Sequence, residues 1–272
     1  MKRLILATTS TLIALALPGC LQSETTIHLN KDGSGTLVEQ TTFGAQMMAM
    51  LDQMSALGGG DAKDPLAEMF SAEKAKVRAA TLGEGVTVEK SIPIEAGGNK
   101  GARTTYHFAD INKLRISPGD NMKDLSPMAG QVPEAAKPKP VTFTYAGGTL
   151  TLTMPEQEKP AGDAPKPPEG QEMPDLEGNP QMEAMMKQML GDMTMSFKIV
   201  IEPGIAETDA TLRDGNTITL MNMEMGKLLE KPDTLKKLSS APKDDPAAAL
   251  ELMKGLDGVK METKKQITVK LN

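Results

Sequence analysis

Short runs of alternating apolar and polar residues, bounded by glycine-containing turns, recur along this chain. The first pair covers residues 25–30 and 36–43, and the turn between them, residues 31–35, holds Gly33 and Gly35. Alternation places apolar side chains on one face of a strand, and glycine supplies the positive φ of a tight reversal. The pattern therefore predicts an N-terminal β-hairpin.

Further alternation predicts strands over residues 85–94, 103–109, 141–145, 149–154, 195–201, 217–225 and 259–271. Apolar residues at helical spacing predict helices over 46–57, 66–80, 181–190 and 245–253, with shorter pieces at 228–238. The stripe of the second helix is Leu66, Met69, Phe70 and Val77. Hairpins with amphipathic helices inserted between them predict an α+β fold with an antiparallel sheet.

Residues 155–180 differ from the rest of the chain. They hold seven prolines among 26 residues, with many charges and few large apolar side chains. Such a segment cannot bury enough apolar surface to offset the entropy of ordering. We expect a disordered interruption of a single domain that spans residues 20–272.

The amino terminus has the three parts of an export signal. Lys2 and Arg3 are positive, residues 4–17 form an uncharged and largely apolar run, and Gly19 and Cys20 follow. Fourteen residues are too few to span a bilayer. A small residue before a cysteine resembles the lipobox of bacterial lipoproteins, which implies cleavage between Gly19 and Cys20 and lipidation of Cys20. The alternative is an ordinary N-terminal helix with an incidental cysteine.

Cysteine usage agrees with lipidation, because Cys20 is the single cysteine of the chain and cannot form an internal disulfide. The lipobox resemblance implies acyl chains on its sulfur and its new amino group, so a membrane is the expected partner. Two or more chains suffice for stable anchoring. Leu21 follows Cys20, and the lack of an aspartate there favours the outer membrane.

Charge and motifs narrow the function. Without Lys2 and Arg3 the chain keeps 28 basic against 36 acidic residues, which disfavours nucleic acid as a partner. The two histidines, His28 and His107, lie in predicted strands and are too few for a catalytic zinc site. No nucleophile elbow, phosphate-binding loop or dinucleotide fingerprint is present. We predict no enzyme, metal or cofactor, and an enzyme built on the two histidines and carboxylates is the third hypothesis.

Methionine is abundant, at 21 residues, whereas aromatic residues make up only 3%. The pairs Met47/Met50, Met182/Met185 and Met186/Met189 have helical spacing, and Met221, Met223 and Met225 alternate. Thioethers bind Cu(I), so copper carriage is one reading. The favoured readings are a methionine-filled core or an adaptable apolar groove for a lipid or a partner helix.

Two motifs resemble the LppM-domain bacterial lipoproteins. The first is the hairpin after Cys20, Thr-Ile-His-Leu-Asn-Lys-Asp-Gly-Ser-Gly-Thr at residues 26–36. The second is Ile-Val-Ile-Glu-Pro-Gly at residues 199–204, followed by Asp-Gly-Asn-Thr-Ile-Thr-Leu at residues 214–220. The resemblance implies an exported α+β envelope domain that handles lipid, and no catalytic residues.

Together these observations predict a lipid-anchored envelope lipoprotein whose non-catalytic domain binds an apolar ligand or a protein partner. The alternatives are a structural or assembly lipoprotein of the envelope and, less favoured, a methionine-rich copper-binding protein.

Overall fold

The computed structural model of the protein describes residues 21–49, 65–117, 139–155, 187, 191–230, 252 and 255–272. These residues form a predominantly β structure with one sheet of eight strands and one of five. The predicted leader, Cys20 and residues 156–180 of the proline-rich segment lie outside the described residues. So does most of each predicted helix at 46–57, 181–190 and 245–253.

The described residues form thirteen strands. They are β1 (Leu21–Leu29), β2 (Gly35–Phe43), β3 (Thr87–Ala96), β4 (Asn99–Phe108), β5 (Arg115–Ile116), β6 (Val141–Ala146), β7 (Thr149–Thr153), β8 (Thr194–Ile201), β9 (Ile205–Thr208), β10 (Arg213–Asp214), β11 (Thr217–Glu224), β12 (Val259–Met261) and β13 (Gln266–Leu271). The predicted hairpin at residues 25–43 is confirmed, and the strands predicted over 141–145 and 149–154 also pair as a hairpin. The strands predicted over 85–94 and 103–109 are present as β3 and β4, which pair with each other.

The helices of the described residues are short. They are α1 (Pro65–Met69), α2 (Ala72–Leu82) and α3 (Met225–Leu229), with a further helical stretch at residues 45–49. The predicted α+β class is therefore wrong, because the main core lies between two sheets rather than between a sheet and helices. No helix of the described ranges has the length and apolar character needed to cross a membrane.

The larger sheet has the order β10-β11-β8-β1-β2-β4-β3, and β12 pairs with β11. Its neighbouring strands are antiparallel except for β1 and β8, which run parallel. That pair corrects the prediction of a purely antiparallel sheet. Parallel neighbours need a long connection, and here the whole of β2 to β7 lies between the two partners along the chain.

The smaller sheet has the order β5-β6-β7-β13-β9 and packs over part of the larger one. Ile27, Leu37 and Ile199 of the larger sheet meet Leu152 and Val269 of the smaller sheet, and all five are fully buried. Burial of each such side chain stabilises the folded state by roughly 1.5–3 kcal/mol. This shared core holds the two sheets face to face.

The predicted last strand, residues 259–271, is two strands in different sheets. Glu262 lies at the crossing and is only 3% exposed. Its carboxylate accepts backbone hydrogen bonds from Thr211 at 2.6 Å, Thr263 at 2.9 Å and Lys264 at 3.2 Å. Burial alone would raise the pKa of Glu262, but these donors lower it below its ordinary value. Glu262 thus provides acceptors for backbone N–H groups at the point where the chain leaves one sheet for the other.

The predicted helix over residues 66–80 is also divided. α1 ends at Met69, and Ser71 caps α2, since its hydroxyl accepts the backbone N–H of the residue three positions later. The helical phase restarts there, so Ala75 and Ala79 face inward whereas Val77 is 57% exposed. The expected stripe is therefore wrong at Val77.

The inner face of the larger sheet extends beyond the smaller sheet and changes character along β2. Leu37 belongs to the main core, Glu39 and Thr41 are buried polar residues, and Phe43 belongs to a second apolar cluster. Arg78 of α2 reaches down to Glu39. A polar zone is thus enclosed between two apolar ones, beneath a helix.

Candidate functional site

A cavity of about 100 Å³ lies in this polar zone. Its floor is the inner face of β2 and β4, and its roof is formed by α1, α2 and the link between them. The lining residues are Glu39, Thr41, Ala102, Thr104 and Tyr106 from the strands, and Met69, Phe70, Ser71, Lys74, Ala75 and Arg78 from the helical segment.

An ion pair between Glu39 and Arg78 forms one wall of the cavity. Arg78 Nη2 donates to Glu39 Oε1 at 2.6 Å, and Arg78 Nε donates to both carboxylate oxygens at 3.1 and 3.3 Å. The side chains are 8% and 18% exposed for Glu39 and Arg78 respectively. Such a bidentate pair satisfies both charges where water is largely excluded.

Tyr106 lies against the same pair. Burial, followed by the negative charge of Glu39, raises the pKa of Tyr106 above its ordinary value, while the positive charge of Arg78 opposes the shift. The phenol therefore stays protonated throughout the physiological pH range. It can donate a hydrogen bond in the cavity, but it cannot act there as a phenolate base.

The size and lining of this cavity differ from the predicted methionine-lined and leucine-lined groove. Ligand pockets usually enclose roughly 300–1,000 Å³, several times the 100 Å³ found here. Met69 and Phe70 are its large apolar side chains, and charged or hydroxyl groups make up much of the remainder. The cavity as the described residues form it suits water or a very small polar molecule rather than an acyl chain.

The two histidines lie on the opposite, outer face of the larger sheet. His28 and His107 both align with Thr36 on the strand between them, which separates them by two strand spacings, about 10 Å. His28 Nδ1 is 2.8 Å from Glu202 Oε1, and His107 faces Thr87 in the register. Within the described ranges no three or more His, Cys, Asp or Glu side chains are grouped so that they could hold a metal ion.

The described methionines pack against apolar clusters. Met221 lies against the main core, and Met223, Met225 and Met261 lie against a cluster around Leu228. The predicted pairs that involve residues 50, 182, 185, 186 and 189 fall outside the described residues. The alternating set at the end of β11 therefore contributes to packing.

A further apolar cluster, the Leu21 cluster, lies at the end of the larger sheet where β1 begins. Its buried members are Leu21, Phe43 and Leu66, and Phe43 packs at a tilt on Phe70 with 6.1 Å between ring centroids. Its half-buried members are Met47, Met48, Met69, Phe70 and Met193. Cys20, the predicted lipidation site, is not itself described, but a peptide bond joins it to Leu21 and holds their Cα atoms about 3.8 Å apart.

Glu39 and Arg78 belong to no motif and were not predicted as site residues. The alternation along β2 was a signal that Glu39 is buried, because Glu39 shares the inward face of this strand with Leu37 and Phe43. A charged residue at an inward position requires a partner. The partner of Glu39 could not be identified from the sequence, because Arg78 lies 39 residues away on a helix whose phase restarts at Ser71.

No protein-family model and no curated protein matches the chain. Among solved structures, the chain is similar to the folded domain of the LppM protein of Mycobacterium tuberculosis, with 9% sequence identity, 95% of each chain covered and a TM-score of 0.33. Identity and score at this level establish no shared function, so the resemblance of the two hairpin motifs remains a prediction.

Proposed function

We propose that the chain is a lipid-anchored bacterial envelope protein whose domain is non-catalytic and binds an apolar ligand or a protein partner. The observation that carries the anchor is the order of the first twenty residues: a positive start, an uncharged apolar run, then Gly19 and Cys20.

A binding role, rather than a catalytic one, is supported by the placement of reactive groups. The carboxylate of Glu39 is engaged by Arg78, and the phenol of Tyr106 is held protonated. His28 and His107 lie on the outer face, away from the cavity. General acid–base catalysis needs a titratable group that is free to exchange a proton with a substrate, and the paired carboxylate and the protonated phenol do not favour that role.

The anchor is tested by intact mass and membrane fractionation of the wild-type chain beside Cys20→Ala, both expressed with the full leader. We expect the wild-type protein in the membrane fraction, without its first nineteen residues and heavier than the cleaved polypeptide by several acyl chains. A density gradient then distinguishes the outer membrane, which we favour, from the inner one. Wild-type protein in the soluble fraction with an unmodified thiol contradicts the anchor.

An assembly role through strand addition is the second candidate, and the open edge at β3 bears on it. β3 is largely exposed along its ten residues, including Ile92 at 43%, but it contains Pro93 and an irregularity in register between Val88 and Lys90. Proline and bulges at an edge oppose pairing with another strand. We therefore place the partner or ligand elsewhere on the domain.

The binding role is tested by lipid extraction and by crosslinking of the natively anchored protein. An apolar molecule that co-purifies with the domain in fixed proportion supports an apolar ligand. A specific protein crosslink without a co-purified lipid supports a protein partner. If folded protein yields neither a co-purified apolar molecule nor a specific crosslink, the binding role is contradicted.

A further inference from the structure

From the geometry of the Leu21 cluster we propose that this end of the larger sheet rests directly on the lipid bilayer. This inference depends on the proposed anchor at Cys20. It adds an orientation: the strands of the larger sheet stand away from the membrane, and the Leu21 cluster enters the interface between headgroups and acyl chains.

The proposed anchor, Cys20, is joined directly to a residue of the larger sheet. Leu21 is 6% exposed and pairs with Phe43 as the first residue of β1, so it is held within the sheet. One peptide unit of about 3.8 Å separates it from the residue that would carry the acyl chains. Acyl chains inserted in a bilayer would therefore hold the start of β1 at the membrane surface.

The side chains at the rim of the Leu21 cluster are mostly methionines. Half-buried Met47, Met48, Met69, Phe70 and Met193 surround the buried members of the cluster. Methionine side chains are flexible and apolar, so they can extend into an acyl environment without a fixed geometry. Burial of apolar surface is also what draws peripheral proteins into the interface.

The charged side chains near the Leu21 cluster are not predominantly basic. Two pairs of opposite charge lie near this end: Lys227 donates to Glu224 at 2.6 Å, and Glu95 aligns with Lys100 across the β3–β4 hairpin. Glu68 and Asp192, beside Met69 and Met193 in the sequence, add acidic charge. There is thus no basic patch among the described residues here that would favour anionic lipids. The occupant that fits is an electrically neutral lipid surface, and contact with it should not weaken as salt is raised.

The geometry also fixes what lies far from the bilayer. The turn between β1 and β2 contains Lys31, ten residues beyond Leu21, which corresponds to roughly 30 Å along an extended strand. Lys31 is exposed. Met47 and Lys31 therefore mark the near and far ends of the same sheet.

The chain contains no tryptophan, so a single introduced tryptophan reports its own surroundings. Met47→Trp and Lys31→Trp are made in the full-length chain, purified from membranes with the anchor attached, and reconstituted into phosphatidylcholine vesicles. Fluorescence is compared between vesicles with ordinary chains and vesicles with brominated acyl chains, which quench at short range. We expect Met47→Trp to lose most of its emission in brominated vesicles and to shift to shorter wavelength, and Lys31→Trp to change in neither respect.

Flotation of the vesicles separates the two proposals. Protein that does not float contradicts the anchor. Protein that floats while Met47→Trp is unquenched, or while both variants are quenched equally, overturns the docked orientation and leaves the anchor intact. Met193→Trp, on the same rim, is the second reporter if Met47→Trp does not fold, and quenching that persists at high salt is required of whichever reporter is used.

Discussion

The ion pair beneath α2 allows the sharpest test of the fold. Arg78→Met removes the guanidinium but retains a long apolar side chain, so the change mainly leaves the carboxylate of Glu39 without its partner. That carboxylate is 8% exposed and receives hydrogen bonds to both its oxygens from Arg78. The variant therefore leaves a largely buried carboxylate without a cation, at the wall of the small polar cavity.

Removing one member of a buried pair typically costs about 3–5 kcal/mol. The 18% exposure of Arg78 places this pair at the margin of the interior, so we expect a loss near 3 kcal/mol. Domains of this kind have a free energy of unfolding of about 5–15 kcal/mol. The substitution should thus remove a large fraction of the stability while leaving the two-sheet core intact.

Urea denaturation followed by far-ultraviolet circular dichroism measures the effect. Two matched variants accompany it: Lys76→Met, an exposed lysine on the same helix, and the double variant Glu39→Gln/Arg78→Met, which has no unpaired charge. We expect Lys76→Met to stay within about 0.5 kcal/mol of wild type and the double variant to recover much of the loss. Equal losses for Arg78→Met and Lys76→Met would refute the assignment of a buried, mutually dependent pair.

Three further outcomes follow from other contacts. Glu262→Gln should reduce stability by about 1.5–3 kcal/mol at neutral pH, the scale of a hydrogen bond to a charged group. Because the folded-state pKa of Glu262 lies below the ordinary 4.5, this difference should be fully present above pH 4.5 and disappear as pH falls through the folded-state value, as acid titration of unfolding would show. Gly35→Ala should cost about 1–3 kcal/mol in urea denaturation, because its Cβ would overlap the carbonyl oxygen of His28. Val77→Ser should change the thermal midpoint little, since Val77 is 57% exposed.

The local parts of this fold were readable from the sequence because they depend on neighbours along the chain. In the first hairpin, Asp32 accepts the backbone N–H of Ser34 at 3.0 Å and its hydroxyl at 2.6 Å, while Gly33 adopts a φ of 88°. Both features are encoded within a few residues. The alternation on either side then sets the register, since a shift of one residue would reverse the buried face.

The arrangement of sheets was not readable, because it depends on contacts distant in sequence. Nothing near β1 specifies that β8 should pair with it in parallel rather than another strand. The predicted strand over residues 259–271 has suitable alternation throughout, yet Glu262 divides it between sheets through contacts with Thr211. The α+β prediction failed for a related reason: periodicity identifies amphipathic segments, but it does not show which of them cover the main core.

The orientation of α2 is set by its ion pair together with its buried apolar residues. The inward residues are Ala75, Ala79 and the fully buried Leu82, whereas Val77 remains exposed. Turning the helix to bury Val77 would gain at most about 1.5–3 kcal/mol. It would need about half a turn of the helix, which would expose Leu82 at a similar cost and leave Glu39 unpaired at about 3 kcal/mol. Apolar burial and the ion pair therefore favour the same rotation, so α2 presents arginine rather than valine to the sheet, above the polar cavity.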